Sequence, residues 1–517
     1  MSTEPEVEER DIASQGTVVV SMTMLSRVSG FVRDILLSNF LGASDIADAF
    51  FVAFRIPNFF RRLFAEGAFN QAFVPVLSRY RERGHAELVR FAALIGGNLA
   101  TVLVLFVGLG VLFSDALVVV FAPGFIDEPE KFAMTSEVVH ITFTYLAFIS
   151  LTAFAGAILN TFHRYAVPAF TPVLLNLSLI AAMLVGAALV DNMLLALAWG
   201  VFAAGVVQFL FQLPALARVD MLVAPRVGVQ HEGVRRMGRL LVPALLAASV
   251  GQINALIDTI LASTLISGSI SWLYYSDRLL ELPIGLVAVA LGTVLLPNLS
   301  RLAETSDEQF AGTLDWGLRM GVVLAMPASL ALYLLAVPLI STIFFHGEMT
   351  SLDVTMAALA LQAFAVGVVA LVLVKVLAPA FFAHQDTRTP LRYASVAVGV
   401  NVVGNLAMFS WFGHVGLALA TSISGWVHLW LLFRGVRERG FYAATAGLRR
   451  MVVLSVLASI VMGVVLIALT PSDGYWLSIG NWQRVGWLAT VVGIGLSAYS
   501  AMLFVCGVRP GELRHRV

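Results

Sequence analysis

Between Ser21 and Tyr80 two long apolar runs, joined by a small polar loop, carry eight charged side chains. Arg27, Arg33 and Asp34 interrupt the first run; Asp48, Arg55, Arg61, Arg62 and Glu66 interrupt the second. A charge at bilayer depth costs at least ~2.5–3.5 kcal/mol on insertion scales, so such residues face a bundle interior or a wet cavity. Snorkelling accounts for Arg61 and Arg62 if they lie near a membrane face, and Arg62 with Glu66 forms an i,i+4 ion pair. Neither explanation reaches Arg27 and Arg33, each deep in its run. The chemistry these residues suit is the reception of an anion in a water-filled cavity.

The elements that must position them follow from composition. The chain has 517 residues, 59% of them hydrophobic and 12% charged, with mean hydropathy +0.89. Soluble domains carry about twice that charged fraction, so this is an all-α polytopic membrane protein. Stretches of the roughly 20 residues needed to span fall near 17–40, 46–80, 88–113, 134–160, 168–190, 193–217, 236–265, 270–298, 314–345, 354–383, 390–411, 414–434, 450–470 and 484–506, fourteen in all. Pro57, Pro243, Pro283, Pro327 and Pro379 fall inside spans and mark kinks. The first sixteen residues are acidic and polar, with no basic n-region, so no cleaved signal peptide is expected.

Orientation follows from the basic residues, 30 Arg and 2 Lys. One alternate set of loops holds 23 of them, the other only Lys131 and Arg484, and seven lie within spans. That asymmetry places both termini in the cytoplasm. The chain also repeats: Val74-Pro75-Val76-Leu77-Ser78-Arg79 closes the second span, and Leu296-Pro297-Asn298-Leu299-Ser300-Arg301 the eighth. Each follows a helix interrupted by Arg and a carboxylate, the later one by Asp277, Arg278 and Glu281. Phe162-His163-Arg164 running to Thr171-Pro172 is echoed by Phe382 running to Thr389-Pro390. A six-span repeat entered twice from the same side predicts two lobes about an axis along the membrane normal. The expected divisions are a tail at 1–16, lobes at 17–217 and 240–438, a linker at 218–239 acting as hinge, two added spans within 439–506, and a tail at 507–517.

Enzyme signatures are missing. Lys131 and Lys375 are the only lysines, and neither ends a G-x-x-x-x-G-K; there is no H-E-x-x-H and no G-x-S-x-G. A lone Cys506 excludes an intramolecular disulfide and a multi-cysteine metal site. His163, His384, His414 and His428 read as interfacial or interhelical hydrogen-bonding groups, and Gly96-Gly97 as a point of close helix approach.

Four segments carry a resemblance: SMTMLSRVSGFVRD, DAFFVAFRIPNFFRRLFAEGAFNQAFVPVLSRY, YYSDRLLELPIGLVAVALGTVLLP and KVLAPAFFAHQDTRTP. Together they closely resemble the MurJ (MviN) family of lipid II flippases, of the multidrug/oligosaccharidyl-lipid/polysaccharide exporter superfamily, over about Thr17 to Phe504. The resemblance implies fourteen helices, alternating access between two lobes in the bacterial inner membrane, and a groove beside helices 13 and 14 for the undecaprenyl tail. Lipid II is the implied substrate, with membrane lipids as surroundings, no nucleic acid and a monomeric transporter. The family's functional arginines match Arg27, Arg33, Arg61 and Arg278, with Ser26, Asp34, Asp48, Arg55 and Glu66 at further positions of the same motifs. The physics agrees, because a diphosphate suits the bidentate arginine fork. Asp34, Asp277 and Glu281 are placed to pair with the arginines when no substrate is bound. A flippase for another polyprenyl-linked oligosaccharide shares the fold without these motifs. A membrane glycosyltransferase acting on lipid II needs a catalytic carboxylate in a sizeable outer loop, and the outer loops here are short.

A cation is the last reading. Asp258, Asn401, Asn405 and Thr421 reach similar depth in the second lobe, with the Leu417 carbonyl one turn before Thr421. Oxygen ligands suit a hard ion such as Na⁺. The same residues also suit plain interhelical hydrogen bonding around a buried acid. The resemblance implies a sodium site between helices 7, 11 and 12; no other cofactor is expected.

Overall fold

A chain this apolar has no water to satisfy its backbone inside a bilayer, and helices meet that demand within each segment. The computed structural model describes residues 4–64, 67–186, 192–509 and 511, and among them every regular element is helical. The first compact unit, Met1–Ser267, contains α1 (Glu4–Leu41), α2 (Asp45–Phe64), α3 (Gly67–Glu82), α4 (His85–Leu112), α5 (Ser114–Phe121), α6 (Pro129–Thr142), α7 (Tyr145–Thr161), α8 (Ala166–Ala181), α9 (Met193–Ala217) and α10 (Glu232–Ser263). The second, Gly268–Val517, contains α11 (Ser269–Leu302), α12 (Asp307–Leu334), α13 (Ala336–Phe344), α14 (Ser351–Ala365), α15 (Val368–Ala383), α16 (Arg388–Glu438), α17 (Ala446–Leu469), α18 (Asp473–Ser478) and α19 (Asn481–Val505).

The spans expected at 46–80 and 134–160 are each built from two helices, α2 with α3 and α6 with α7. Conversely, the spans expected at 390–411 and 414–434 are the two limbs of α16, which folds at Gly413 (φ 55°, ψ −134°), a conformation a side chain would strain. Among the described residues eight helices are long and apolar enough to cross a membrane, or nine if α14 and α15, bent by 43°, make one span. The span expected at 46–80 is divided between α2, which carries several charges, and α3, which has 16 residues.

Helix ends match in two pairs. After α7 the chain turns through His163 (φ 59°), with Arg164 N donating to Leu159 O at 2.9 Å; after α15 it turns through Gln385 (φ 58°), with Asp386 N on Phe381 O at 3.0 Å. The ends of α9 and α16 match likewise, through Asp220 (φ 54°) and Gly440 (φ 73°). Each is a left-handed residue closing a six-residue hydrogen-bonded turn, which satisfies the last carbonyls of the helix.

The segment expected to be a hinge is docked. Arg226 N donates to Ala93 O of α4 at 2.8 Å, and Asn98 exchanges two bonds with the Gly228 backbone, at 2.9 and 3.1 Å. Met221 and Met237, on either side, enter the core that holds Phe73, Tyr80 and Phe91. Gly97 therefore serves a purpose other than the expected close helix packing: a Cβ there would stand 2.2 Å from the Arg226 carbonyl oxygen. Gly96 does meet a helix, facing the Phe154 ring of α7. In the second unit, α17 and α19 pack together on α12 through Val323, Met451, Met462, Val491 and Tyr499.

Candidate functional site

On α1 the two deep arginines are six residues apart, about 240° round a helix at 100° per residue, so they take different faces. Arg33 turns inward and is buried. Its Nε and Nη2 donate to Asp34 Oδ1 at 3.0 and 2.7 Å, and its Nη1 to Asn176 Oδ1 of α8 at 2.9 Å. Asn176 in turn donates to Ser26 O at 3.0 Å and Ser29 Oγ at 2.9 Å, tying α8 to α1. Ser26 thus contributes its carbonyl. Asn176 was not foreseen; a lone Asn in an apolar run carries no signal of which charge it will meet. Arg27 lies on the exposed face.

On α2 the charges sort by depth. Asp48 is buried, 1% exposed, and faces Lys131 of α6, whose Nζ lies 3.5 Å from Asp48, 2.8 Å from Asp45 and 3.7 Å from Glu128, with the Phe125 ring at 4.6 Å. Lys131, which the sequence places in an outer loop, is only 3% exposed, because three carboxylates compensate its desolvation. Arg55 is half-buried, with Nη1 on Thr259 Oγ1 of α10 at 2.5 Å. Arg61 is also half-buried and donates through Nε to Asn58 Oδ1 at 3.0 Å, while Arg62 is exposed. Glu66 lies outside the described residues, and with it the expected Arg62–Glu66 pair.

In the second unit Arg278 of α11 pairs with Glu281 at 3.1 Å and lies over the Tyr274 ring at 4.7 Å; Asp277 is half-buried. The arginines expected to bind one group therefore fall three in the first unit and one in the second. In each unit an arginine is held by a carboxylate close in sequence.

The cation candidates divide as well. Asp258 is on α10 in the first unit. The other four meet in the second, because the fold at Gly413 brings the limbs of α16 together. Asn401 Nδ2 donates to Thr421 Oγ1 at 3.1 Å, Asn405 Nδ2 to Asn401 Oδ1 at 2.8 Å, and Thr421 Oγ1 to Leu417 O at 3.1 Å. Asn401 and Asn405 are fully buried. The donor set is oxygen throughout, which fits a hard monovalent cation; amide protons reach Thr421 Oγ1 and Asn401 Oδ1, and the Thr421 hydroxyl proton reaches the Leu417 carbonyl.

Arg484, the other basic residue expected in an outer loop, is buried near the start of α19. It donates to Trp476 O at 2.8 Å, Phe345 O and Asn481 Oδ1 at 3.2 Å, and Leu477 O at 3.3 Å, with its guanidinium over the Phe345 ring. It pins α13, α18 and α19 and belongs to no arginine cluster.

The family model described as lipid II flippase MurJ matches residues 37–480. The probable lipid II flippase MurJ of Vibrio cholerae serotype O1 is 44% identical over 513 residues, 97% of this chain and 98% of its own. The lipid II flippase MurJ of Burkholderia cenocepacia is 38% identical over 516 residues, 96% and 98%. Among solved structures, a lipid II flippase MurJ in an inward closed conformation aligns with TM-score 0.79 at 24% identity, covering 95% of this chain and 98% of that one. An inward-facing multidrug transporter of the MATE family aligns with TM-score 0.66 at 16% identity, covering 82% and 97%; both share the fold.

Proposed function

The chain belongs to the lipid II flippase MurJ family, and from that premise we propose how its charged helices move their substrate. It is a multi-pass inner-membrane transporter of lipid II, not an enzyme. We infer that it carries the undecaprenyl-diphosphate-linked precursor from the cytoplasmic to the periplasmic leaflet by alternating access. Both termini are cytoplasmic, fourteen spans form two six-helix lobes with helices 13 and 14 added, and the groove beside those two takes the lipid tail. The matched turns after α7 and α15, and after α9 and α16, support the repeat.

Arg27, Arg33, Arg61 and Arg278 receive the diphosphate. The observation that carries this reading is the Arg33–Asp34–Asn176 arrangement: a buried, permanently charged fork held by a neighbouring carboxylate, ready to exchange it for phosphate oxygens. Resting pairs keep the charge neutralised; substrate replaces a carboxylate by a doubly ionised group, so the site need not desolvate a bare cation. Asn401, Asn405, Thr421 and the Leu417 carbonyl, with Asp258, would hold Na⁺, which supplies a charge whose binding biases one lobe arrangement over another. The protein acts as a monomer.

The test is complementation in a cell depleted of its own lipid II flippase. Growth with the parent, and none with Arg33→Ala or Arg278→Ala at equal membrane abundance, supports the reading. Growth with single Ala variants at all four arginines would sink the diphosphate site.

A further inference from the structure

One end of α10 is attached to the first unit very differently from the other. Its start is rooted by apolar packing: Gly233 lies against Tyr80 and Phe91, and Met237 is buried in their core. Its far end is held by hydroxyl groups. Thr259 and Ser263, one turn apart and both buried, and Ser267, just past the helix end, each meet a polar group of the first unit. Thr259 Oγ1 accepts from Arg55 at 2.5 Å; Ser263 Oγ accepts from Gly124 N at 3.2 Å; Ser267 Oγ donates to Asp45. Asp45 and Arg55 stand ten residues apart on α2, and Ser267 and Thr259 eight apart in the reverse order, so the two segments run antiparallel with their polar groups in register. Gly124 makes the approach close, since a Cβ there would stand 2.1 Å from the Ser263 carbonyl oxygen.

We propose that these three contacts are a latch, and that Arg55 releases it by leaving Thr259 for an incoming phosphate. The inference rests on the diphosphate reading above. Arg55 sits six residues before Arg61 on α2, about 9 Å along the axis and about 240° round it, a separation that two extended arginine side chains have to span to reach one diphosphate. Thr259 offers Arg55 a single uncharged acceptor, whereas a phosphate group is itself charged and can take two parallel bonds from the guanidinium fork. Substrate therefore outcompetes Thr259 for Arg55. The remaining two contacts are single hydrogen bonds, the stronger of them the one that the Asp45 carboxylate accepts. Losing one of three then shifts the balance appreciably. Apolar rooting at Gly233 and Met237 keeps the start of α10 in place, and Pro243, which breaks the backbone ladder, lies between root and latch.

The experiment uses the full chain with its only cysteine replaced (Cys506→Ser) and Ala262→Cys introduced, a buried position between Thr259 and Ser263. The rate of labelling by a water-soluble maleimide is read in detergent, alone, with inorganic pyrophosphate and with lipid II, and lipid II binding is measured on the same samples. Thr259→Val is expected to raise labelling several-fold without substrate. Lipid II is expected to raise it comparably in the parent and to add little in Thr259→Val. Unchanged labelling in Thr259→Val overturns the latch. Lipid II that binds the parent without changing its labelling overturns release by substrate. Binding that survives Arg33→Ala and Arg61→Ala together instead overturns the underlying diphosphate site. A second measurement uses Asp45→Cys with Ser267→Cys in the Cys506→Ser background: oxidation is expected to stop flipping and reductant to restore it. Flipping at the parental rate with the pair fully oxidised would mean the latch need not open.

Discussion

Two buried arginines in this chain have partners of different kinds. Arg33 is matched to a carboxylate and an amide oxygen, an arrangement that a phosphate can replace group for group. Arg484 is matched to backbone carbonyls and Asn481, acceptors that have nowhere else to turn. Arg33→Lys keeps the charge and loses the fork; a lost charged hydrogen bond costs about 1.5–3 kcal/mol, so lipid II transport in reconstituted vesicles should fall on the order of tenfold or more. Parental transport by Arg33→Lys would remove the bidentate argument. Arg484→Met should leave the transport site intact and lower the unfolding midpoint, because each orphaned buried carbonyl costs about 1–3 kcal/mol. Thermal unfolding in detergent reads it, and an unshifted midpoint would contradict the clamp.

At the scale of elements, charge sets where helices are fastened. α2 is held to α6 by Lys131 with Asp45 and Asp48, and to α10 by Arg55; α1 is held to α8 by Asn176. Asp315 of α12 accepts from Tyr442 and Thr445 at 2.5 and 2.6 Å and pairs with Arg319, securing the start of α17. The connection between α13 and α14 adds a pH dependence. Burial, and then the nearby Arg484 charge, hold His346 below its ordinary pKa of 6.5, against the hydrogen bonds its ring donates to the Thr342 backbone and the Asn481 side chain, which act the other way. The unfolded chain therefore takes up this proton at higher pH than the folded one. The stability tied to neutral His346 is full above about pH 6.5 and is lost as pH falls through the folded value. The unfolding midpoint of the parent should drop more between pH 7.5 and pH 5 than that of His346→Gln. Parallel curves would show that the histidine is not coupled to folding.

For the whole molecule, one measurement reads orientation and another reads coupling. With Cys506→Ser as background, Gln230→Cys should react from the cytoplasm and Asn481→Cys from the periplasm of intact cells; both positions are exposed. The reverse pattern would invert every assignment of leaflet. The residues proposed for sodium lie in both units, Asp258 in the first and Asn401, Asn405 and Thr421 in the second. If that set holds the ion, Asp258→Asn should flatten the dependence of flipping on sodium while Asn401→Ala weakens it. A parent with no sodium dependence would leave those residues as interhelical hydrogen bonds.

Composition, periodicity and motif order alone determined the membrane class and the family, and pointed to an internal repeat and to the arginines worth testing, since each depends on residue type and spacing along one chain. Tertiary structure decided the rest, because desolvation and partner choice are properties of space. Lys131 and Arg484 counted as loop cations by sequence position, yet both are buried, one by three carboxylates and the other by a ring of carbonyls. Gly97 read as a helix-packing glycine, yet it admits the backbone of a segment more than a hundred residues further along the chain. Asn176 carried no signal until Arg33 was seen to rest on it. Spacing shows which charges a helix carries at depth; only packing shows what neutralises each one, and that separates a charge available to substrate from one spent on the fold.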